Sequence, residues 1–166
     1  MLAAFERVAE IGFEGLRLRQ VAEQVGIDHS TLHHHFATKQ ALVAAVAEHT
    51  TRQFWGTAPS ADDPAVALRE HLAALQRLMV QRPELFVVSA ELDLRARRDP
   101  DVAAALAAHE RGWRELLVGL LGQAADPKSA AELVIATVKG VRLAPELAGP
   151  VFARLAAQLS PEEERP

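Results

Sequence analysis

Apolar residues recur at helical spacing along most of this chain, and β-branched residues nowhere form an alternating run. At its start, Leu2, Phe5 and Ala9 fall on one face of a helix. Alanine, leucine, glutamate and arginine, all good helix formers, dominate the composition. A half-buried strand would instead alternate polar and apolar positions, so the sequence predicts an all-α fold with almost no sheet.

Glycine and proline divide this pattern into three short helices at the start of the chain and about six longer ones after them. Asp28 and Thr38 stand where the N-caps of the third and fourth helices are expected, because their side chains can accept hydrogen bonds from free backbone N–H groups. Pro145 and the pair Gly149-Pro150 are expected to separate the eighth helix from a last one over residues 151–159. The charged tail SPEEERP is expected to fray.

The bulk composition excludes several classes of protein. Hydrophobic residues make up 49% and charged residues 24%, the balance of a globular protein. The net charge of −4 gives no sign of general polyanion binding, so a nucleic-acid role must depend on local placement. The lack of cysteine excludes disulfides, thiolate metal sites and cysteine nucleophiles. No long apolar run and no signal-peptide core occur, so we expect a soluble cytoplasmic protein without a membrane partner.

The segment HSTLHHHFATK, residues 29–39, contains four of the seven histidines. His29 and His33 are four residues apart and could share a metal ion, but the sequence places no further ligand to complete a site, so no metal is predicted. A purification-tag remnant does not fit, because the run of three is short and internal. No order of nucleophile, base and acid is recognisable, so neither catalytic residues nor a cofactor is predicted.

The sequence around Gly26-Ile27-Asp28 is typical of the turn in a helix-turn-helix. Gly26 can supply the positive φ that ends the second helix, and Ile27 is expected to plug the core between the helices. Leu32 and Phe36 are four residues apart and should face inward with Ile27. The residues left facing outward, with His35 partly turned toward the protein, are His29, Ser30, Thr31, His33, His34 and His35.

The run FEGLRLRQVAEQVGIDHSTLHHHFATKQAL, residues 13–42, resembles the DNA-binding signature of the TetR family of bacterial transcriptional regulators. The resemblance is specific over residues 2–46, and beyond them the chain is only compatible with the family. The matching positions are Gly12-Phe13, Arg19, Val21-Ala22, Val25-Gly26-Ile27, Thr31-Leu32, His35-Phe36, Lys39 and Ala41-Leu42.

This resemblance implies a homodimer whose paired third helices read a near-palindromic operator in double-stranded DNA. A small-molecule effector bound in the larger C-terminal domain would change the spacing of those helices and release the DNA. The resemblance also implies which residues contact DNA, in the major groove or on the phosphates: Arg17, Arg19, His29, Ser30, Thr31, His33, His34, His35 and Lys39.

Three positions depart from the family pattern. His33 stands where relatives usually carry a tyrosine, His34 where they often carry an aromatic residue or an arginine, and Arg17 where a serine or threonine commonly caps the second helix. Phosphates favour the charged imidazolium, so we expect DNA affinity to rise as the pH falls from about 7.5 to 6, spanning the ordinary histidine pKa of about 6.5.

The predicted division is a DNA-binding domain at residues 1–46 and a ligand-binding and dimerisation domain at residues 47–166. An apolar ligand pocket is predicted to include Phe86, Trp113 and Leu117, with simple core packing as the alternative. In similar proteins the last two helices pair with those of a second copy as a four-helix bundle. The predicted interface residues, which could instead only cover their own domain, are Leu133, Thr137, Val141, Phe152, Leu155 and Leu159.

A second class of protein stays open at this point. The chain could be an all-α module for small-molecule binding or protein interaction whose helix-turn-helix has lost operator binding. Its main support is the nearly neutral charge of residues 1–55, which contain five lysines and arginines against six acidic residues. Operator binding would distinguish the two.

Overall fold

The computed structural model describes residues 1–159, and the tail SPEEERP that was expected to fray lies outside them. Within residues 1–159 the chain forms nine α-helices and two short 3₁₀ turns, and no β-strand, so the predicted all-α fold is confirmed. The helices are α1 (Leu2–Gly15), α2 (Leu18–Val25), α3 (His29–His35), α4 (Lys39–Arg52), α5 (Pro64–Gln81), α6 (Pro83–Ala96), α7 (Pro100–Leu120), α8 (Pro127–Val141) and α9 (Ala148–Leu159). The 3₁₀ turns are Gln53–Thr57 and Pro145–Leu147.

Proline is the first residue of four consecutive helices, α5 to α8. Its fixed φ suits a first helical turn, and the N–H that it lacks would have no partner there. Side-chain caps complete several starts: Asp63 accepts from the Val66 N–H at 2.8 Å and Asp126 from the Ser129 N–H at 3.1 Å. The predicted Thr38 cap is confirmed, because its Oγ1 accepts from the Ala41 N–H at 3.1 Å.

The start of α9 differs from the prediction. Gly149 and Pro150 do not separate two helices, because α9 begins at Ala148 and includes both residues in its first turn. A proline in a first turn costs the helix no hydrogen bond, so this pair can begin a helix as well as interrupt one. Residues 142–144 and the 3₁₀ turn Pro145–Leu147 separate α8 from α9.

The first compact unit consists of residues 1–54 together with residues 84–108. Phe5, Val8 and Leu16 are fully buried in it, as is Val46. The unit is therefore larger than the predicted DNA-binding domain, and α6 belongs to it. The functional boundary after residue 46 stays a prediction, since compactness does not say which residues bind DNA.

The second compact unit consists of residues 55–83 and, among the described residues, 109–159. Helix α5 packs against α9, and α8 packs against α9. Leu68, Leu72 and Leu75 lie along the buried face of α5. No helix in the described part of the chain combines the length and apolar character that crossing a membrane requires.

Candidate nucleic-acid interface

The turn between α2 and α3 depends on Gly26. Its φ of 70° and ψ of 31° lie in the left-handed region, which glycine enters without steric cost. The Gly26 and Ile27 N–H groups both donate to the last turn of α2, the latter to the Ala22 carbonyl at 3.1 Å. Asp28 occupies the N-cap position of α3 as predicted, but its side chain makes no capping hydrogen bond. The backbone turn, rather than a side-chain cap, therefore sets the start of α3.

One residue anchors α3 to the core, since Leu32 is only 5% exposed. Phe36 is half-buried. Leu32 is therefore buried as expected, and Phe36 only in part. The prediction for Ile27 is wrong, because this residue is 37% exposed and does not plug the core. The helix α3 is thus held by few apolar contacts.

The remaining side chains of α3 form an exposed polar face. All of them are exposed, His35 included, and the residues are His29, Ser30, Thr31, His33, His34 and His35. No acidic residue occurs within α3, whose sequence is HSTLHHH. Imidazole, hydroxyl and backbone groups can donate to purine N7 atoms and phosphate oxygens. The predicted exposure is confirmed, whereas contact with DNA stays a prediction.

The imidazole rings of His29 and His33 lie side by side. Their centroids are 6.2 Å apart and their planes differ by 30°. Among residues 1–159 no three histidine, cysteine, aspartate or glutamate side chains are grouped closely enough to hold a metal ion. Both rings belong to exposed side chains on the same face of α3, so both can contact neighbouring groups in a groove.

Arg19, one of the predicted basic contacts, is highly exposed. Its side chain is 83% exposed, and its Nε donates to Glu23 Oε1 at 2.9 Å, one helical turn later on α2. Exposed ion pairs of this kind contribute little to stability. Arg19 can therefore exchange its carboxylate partner for a phosphate at small cost.

Arg17 and Lys39 meet at the carboxyl end of α1. The Arg17 guanidinium donates to the Leu16 carbonyl at 3.2 Å, and the Lys39 Nζ donates to the Phe13 carbonyl at 2.8 Å. Burial lowers the pKa of Lys39, and the positive charges of Arg17 and Arg95 lower it further. Lys39 is also the first residue of α4, where free backbone N–H groups favour an anion.

The three residues of the predicted ligand pocket divide between the two compact units. Phe86 belongs to the first unit, where it packs edge-on against Phe54 with ring centroids 5.4 Å apart. Trp113 and Leu117 lie one turn apart on α7 and belong to the second unit. Leu117 is fully buried. A role of these residues in binding a ligand stays a prediction.

A buried histidine that the sequence analysis did not single out lies beside Trp113. His71, on α5, is 2% exposed. Its Nε2 accepts a hydrogen bond from the Trp113 indole N–H at 2.9 Å, and its Nδ1 lies 2.7 Å from the Thr57 carbonyl. Because an indole N–H can only donate, Nδ1 carries the imidazole proton and donates it to Thr57. Burial lowers the pKa of His71, and the Thr57 carbonyl opposes this shift.

A signal for His71 was present in the sequence. It falls among Leu68, Leu72 and Leu75 at the spacing of the buried face of α5, so its burial could have been read from periodicity. Its partners could not, because Thr57 and Trp113 are 14 and 42 residues away along the chain.

The predicted dimer-interface residues fall into two groups. Leu133 is 49% exposed, and Thr137 and Leu159 are half-buried. In contrast, Phe152 and Leu155 are 3% and 5% exposed, and Val141 is 9% exposed. These three already belong to the core of the second unit, because α9 uses its wide apolar face against α5 and α8. Only the first group offers a second copy exposed surface, and dimerisation itself stays a prediction.

The start of the chain resembles a known family of regulatory proteins. Residues 1–46 match the family described as bacterial regulatory proteins, tetR family. The HTH-type transcriptional repressor Rv1474c of Mycobacterium tuberculosis is 30% identical over 110 residues, which are 64% of this chain. The chain spans half the length of that repressor.

Solved structures resemble the chain over nearly its full length. A transcriptional regulator from Rhodococcus sp. Rha1 is 27% identical, with a TM-score of 0.82 over 95% of this chain and 90% of that one. The protein AibR, solved in complex with isovaleryl coenzyme A and operator DNA, shares the fold with a TM-score of 0.77 at 17% identity. That likeness covers 96% of this chain and 95% of AibR.

Proposed function

We propose that this chain, whose residues 1–46 match bacterial regulatory proteins of the tetR family, is a member of that family and a dimeric transcriptional repressor of a near-palindromic operator. The observation that carries the proposal is the polar face of α3, where six exposed side chains stand without an acidic residue among them. A face of this kind suits a helix that lies in the major groove. A regulator of transcription acts beside the chromosome, so we place the protein in the cytoplasm.

Residues 1–46 are proposed to contact the operator in two ways. The side chains of α3, from His29 to His35, would bond to base edges and neighbouring phosphates. Arg17, Arg19 and Lys39 would bond to phosphates, with Lys39 assisted by the free N–H groups of α4. Phosphate contacts position the protein, and only the contacts to base edges specify sequence.

The charge of this surface predicts the character of the binding. Residues 1–54 contain five lysines and arginines against six acidic residues. Non-specific attraction to DNA scales with the number of phosphates that cations neutralise. We therefore expect weak non-specific binding and a shallow dependence of affinity on salt concentration.

Two reading helices require two copies of the chain. On and just after α8, three leucines expose large apolar side chains: Leu133 at 49%, Leu143 at 78% and Leu147 at 49%. Contiguous exposed apolar surface marks sites where proteins associate. We propose that this surface, rather than the buried Phe152 and Leu155, meets its equivalent across a two-fold axis.

The remainder of the chain, residues 47–166, is proposed to bind a small-molecule effector that releases the DNA. The support is the full-length fold likeness to AibR, which was solved with both an acyl coenzyme A and operator DNA. Trp113 and Leu117 are the proposed lining residues within the second unit.

Tiled duplexes from the region beside the coding sequence test the proposal by fluorescence anisotropy. We expect one duplex to bind in competition with excess random DNA, and Thr31→Ala and His34→Ala to weaken that binding about tenfold each. Gln158→Ala, an exposed residue of α9, is the matched control and should bind normally. Failure of every duplex to bind above the random competitor would favour the alternative, a helical binding module without an operator.

A further inference from the structure

Three cations from distant parts of the sequence gather at the carboxyl end of α1. Arg17 and Lys39 donate to backbone carbonyls there, as described above. The third is Arg95, in the last turn of α6, whose guanidinium carbon lies 5.4 Å from the centroid of the Phe13 ring. The carbonyl end of a helix is the negative end of its dipole, which attracts positive groups.

Arg95 is fixed in place and poorly accessible. Its Nε donates to Asp99 Oδ2 at 3.1 Å, and the two side chains are only 22% and 17% exposed. Asp99 is itself held, because its Oδ1 accepts from the Asp101 N–H at 3.2 Å at the start of α7. Arg95 is thus unlike the exposed Arg19, and it is placed to act on the protein rather than directly on DNA.

Helix α6 approaches the same segment of α1 at a second point. Gly12 adopts a φ of 66°, which bends α1 just before Phe13. A Cβ atom on Gly12 would lie 3.2 Å from the Glu91 carboxylate, which is one turn before Arg95 on α6. Two successive turns of α6 therefore contact the bend that presents the Phe13 carbonyl to Lys39.

We infer that Arg95 is a positioning residue for DNA binding: by packing on Phe13 it fixes the carbonyl that holds Lys39, and so directs the Lys39 ammonium toward a DNA phosphate. This inference rests on the proposed function. The inference assigns a role in DNA binding to Arg95, which lies outside the family signature in residues 1–46. A displacement of the last turn of α6 would be transmitted to Lys39 through Phe13.

The first test requires no DNA. The chain has three lysines, Lys39, Lys128 and Lys139, so the Cε signals of protein labelled with ¹³C-lysine can be assigned by substitution and followed against pH. We expect Arg95→Ala to raise the pKa of Lys39, because a nearby positive charge is lost. Arg97→Ala, an exposed neighbour, should leave that pKa unchanged. An unchanged pKa of Lys39 in the Arg95→Ala variant would overturn the inference.

Asp99→Asn provides a second variant for the same measurement. The amide oxygen can keep the bond from the Asp101 N–H, whereas the charged partner of Arg95 is lost. The fold should therefore be retained while Arg95 is loosened. A change in the Lys39 signal in this variant supports the inference, and a wild-type signal overturns it.

The second test is a double-mutant cycle with the operator duplex. We expect Lys39→Ala to weaken binding about tenfold, because a phosphate contact is lost. Arg95→Ala should weaken it about fourfold, because the same contact is kept but misdirected. The double variant should bind like Lys39→Ala alone, because Arg95 acts through Lys39. Independent losses that multiply would overturn the inference, since Arg95 would then act on DNA or on the fold by another route.

The outcomes separate this inference from the proposed function. Absence of specific binding by the unmodified protein defeats the proposed function. Normal binding by the unmodified protein, combined with an unmoved Lys39 pKa in Arg95→Ala, defeats the inference alone.

Discussion

Histidines supply most of the hydrogen-bonding groups on the exposed face of α3, because they are four of its seven residues. Arginine, the commonest reader of guanine, is absent from the helix. A protonated imidazole bears two N–H donors and a positive charge, whereas a neutral one has a single donor. DNA phosphates favour the protonated form, so protonation and DNA binding should strengthen each other.

Replacing His29 and His33 together by glutamine tests this coupling. The unmodified protein should bind its operator several-fold more tightly at pH 6 than at pH 7.5, because DNA phosphates favour the protonated imidazole, with its additional donor and positive charge. The double variant, which keeps His34 and His35, should lose part of that difference in anisotropy titrations. Ser30→Ala, on the same face, should lower affinity without changing the pH dependence. Equal affinity of the unmodified protein at both pH values would contradict the coupling.

His71 makes folding stability depend on pH in the opposite direction to DNA affinity, because stability should fall as the pH falls. Burial keeps its pKa below the ordinary value, so the native state holds it neutral while the unfolded chain protonates it. Its contribution to stability is therefore full above about pH 6.5 and is lost as the pH falls below that value, by at most about 1.4 kcal/mol per pH unit. Protonation would also place a second N–H against the Trp113 indole N–H.

Urea unfolding of the unmodified protein and of His71→Gln between pH 7.5 and 5 measures this contribution. Glutamine cannot titrate, so the stability difference between the two proteins should shrink or reverse as the pH falls. Other titrating groups cancel in the difference. A difference independent of pH would show that His71 is not held neutral.

Among the helices, α1 contains the one strongly bent backbone position within a helix of the described chain. Gly12 has φ 66° and ψ 176°, a combination that is essentially restricted to glycine. The bend lets the residues after it turn toward α2 and brings the Phe13 carbonyl to Lys39. Gly12 is thus required both for the path of the chain and for the position of a predicted phosphate contact.

Gly12→Ala should destabilise the protein by about 1–3 kcal/mol, from the strained φ and from the close Glu91 carboxylate. Gly112, within α7, has open space around it and an ordinary φ. Gly112→Ala is therefore the matched control, expected to stabilise by about 0.5–1 kcal/mol through its better helix propensity. Thermal or urea unfolding measures both, and equal effects of the two substitutions would refute this account of the bend.

The helices could be predicted from the sequence wherever local chemistry sets their ends. Four helices begin at a proline, and Thr38 caps α4, because these signals act over a single turn. The start of α9 was missed, since Gly149-Pro150 is compatible with either a break or a first turn. The burial of Phe152 and the exposure of Ile27 were also missed, because both depend on which distant helix packs nearby.

Over the full chain, the sequence predicted the fold class and the polar face of α3, but not the extent of the compact unit around it. That unit includes residues 84–108, and nothing local in α6 indicates that Arg95 packs on Phe13. The residues that connect α1 with α6 are about 80 positions apart, and a single sequence gives no measure of contacts between such distant positions. A single sequence likewise gives no measure of contacts between two copies of the chain, so the dimer is proposed from the leucines that the structure leaves exposed.

Leu133→Asp tests the proposed dimer. A carboxylate at a two-fold apolar interface lies close to its own symmetry mate, so the variant should sediment as a monomer at concentrations where the unmodified protein is dimeric. Its operator affinity should fall at least about tenfold, because one reading helix is then lost. Leu94→Asp, at a leucine of α6 that is more exposed than Leu133, should change neither property. If the Leu133→Asp variant stayed dimeric, Leu133 would not lie in the dimer interface.

The central claim is that the outward face of α3 reads the operator. The most direct measurement is the imidazole NMR spectrum of the seven histidines as the operator duplex is added, because four lie on α3 and the others provide internal references. We predict shifts for His29, His33 and His34, and an unchanged His71 in the core of the second unit. Operator binding that leaves the α3 signals unmoved would contradict the account.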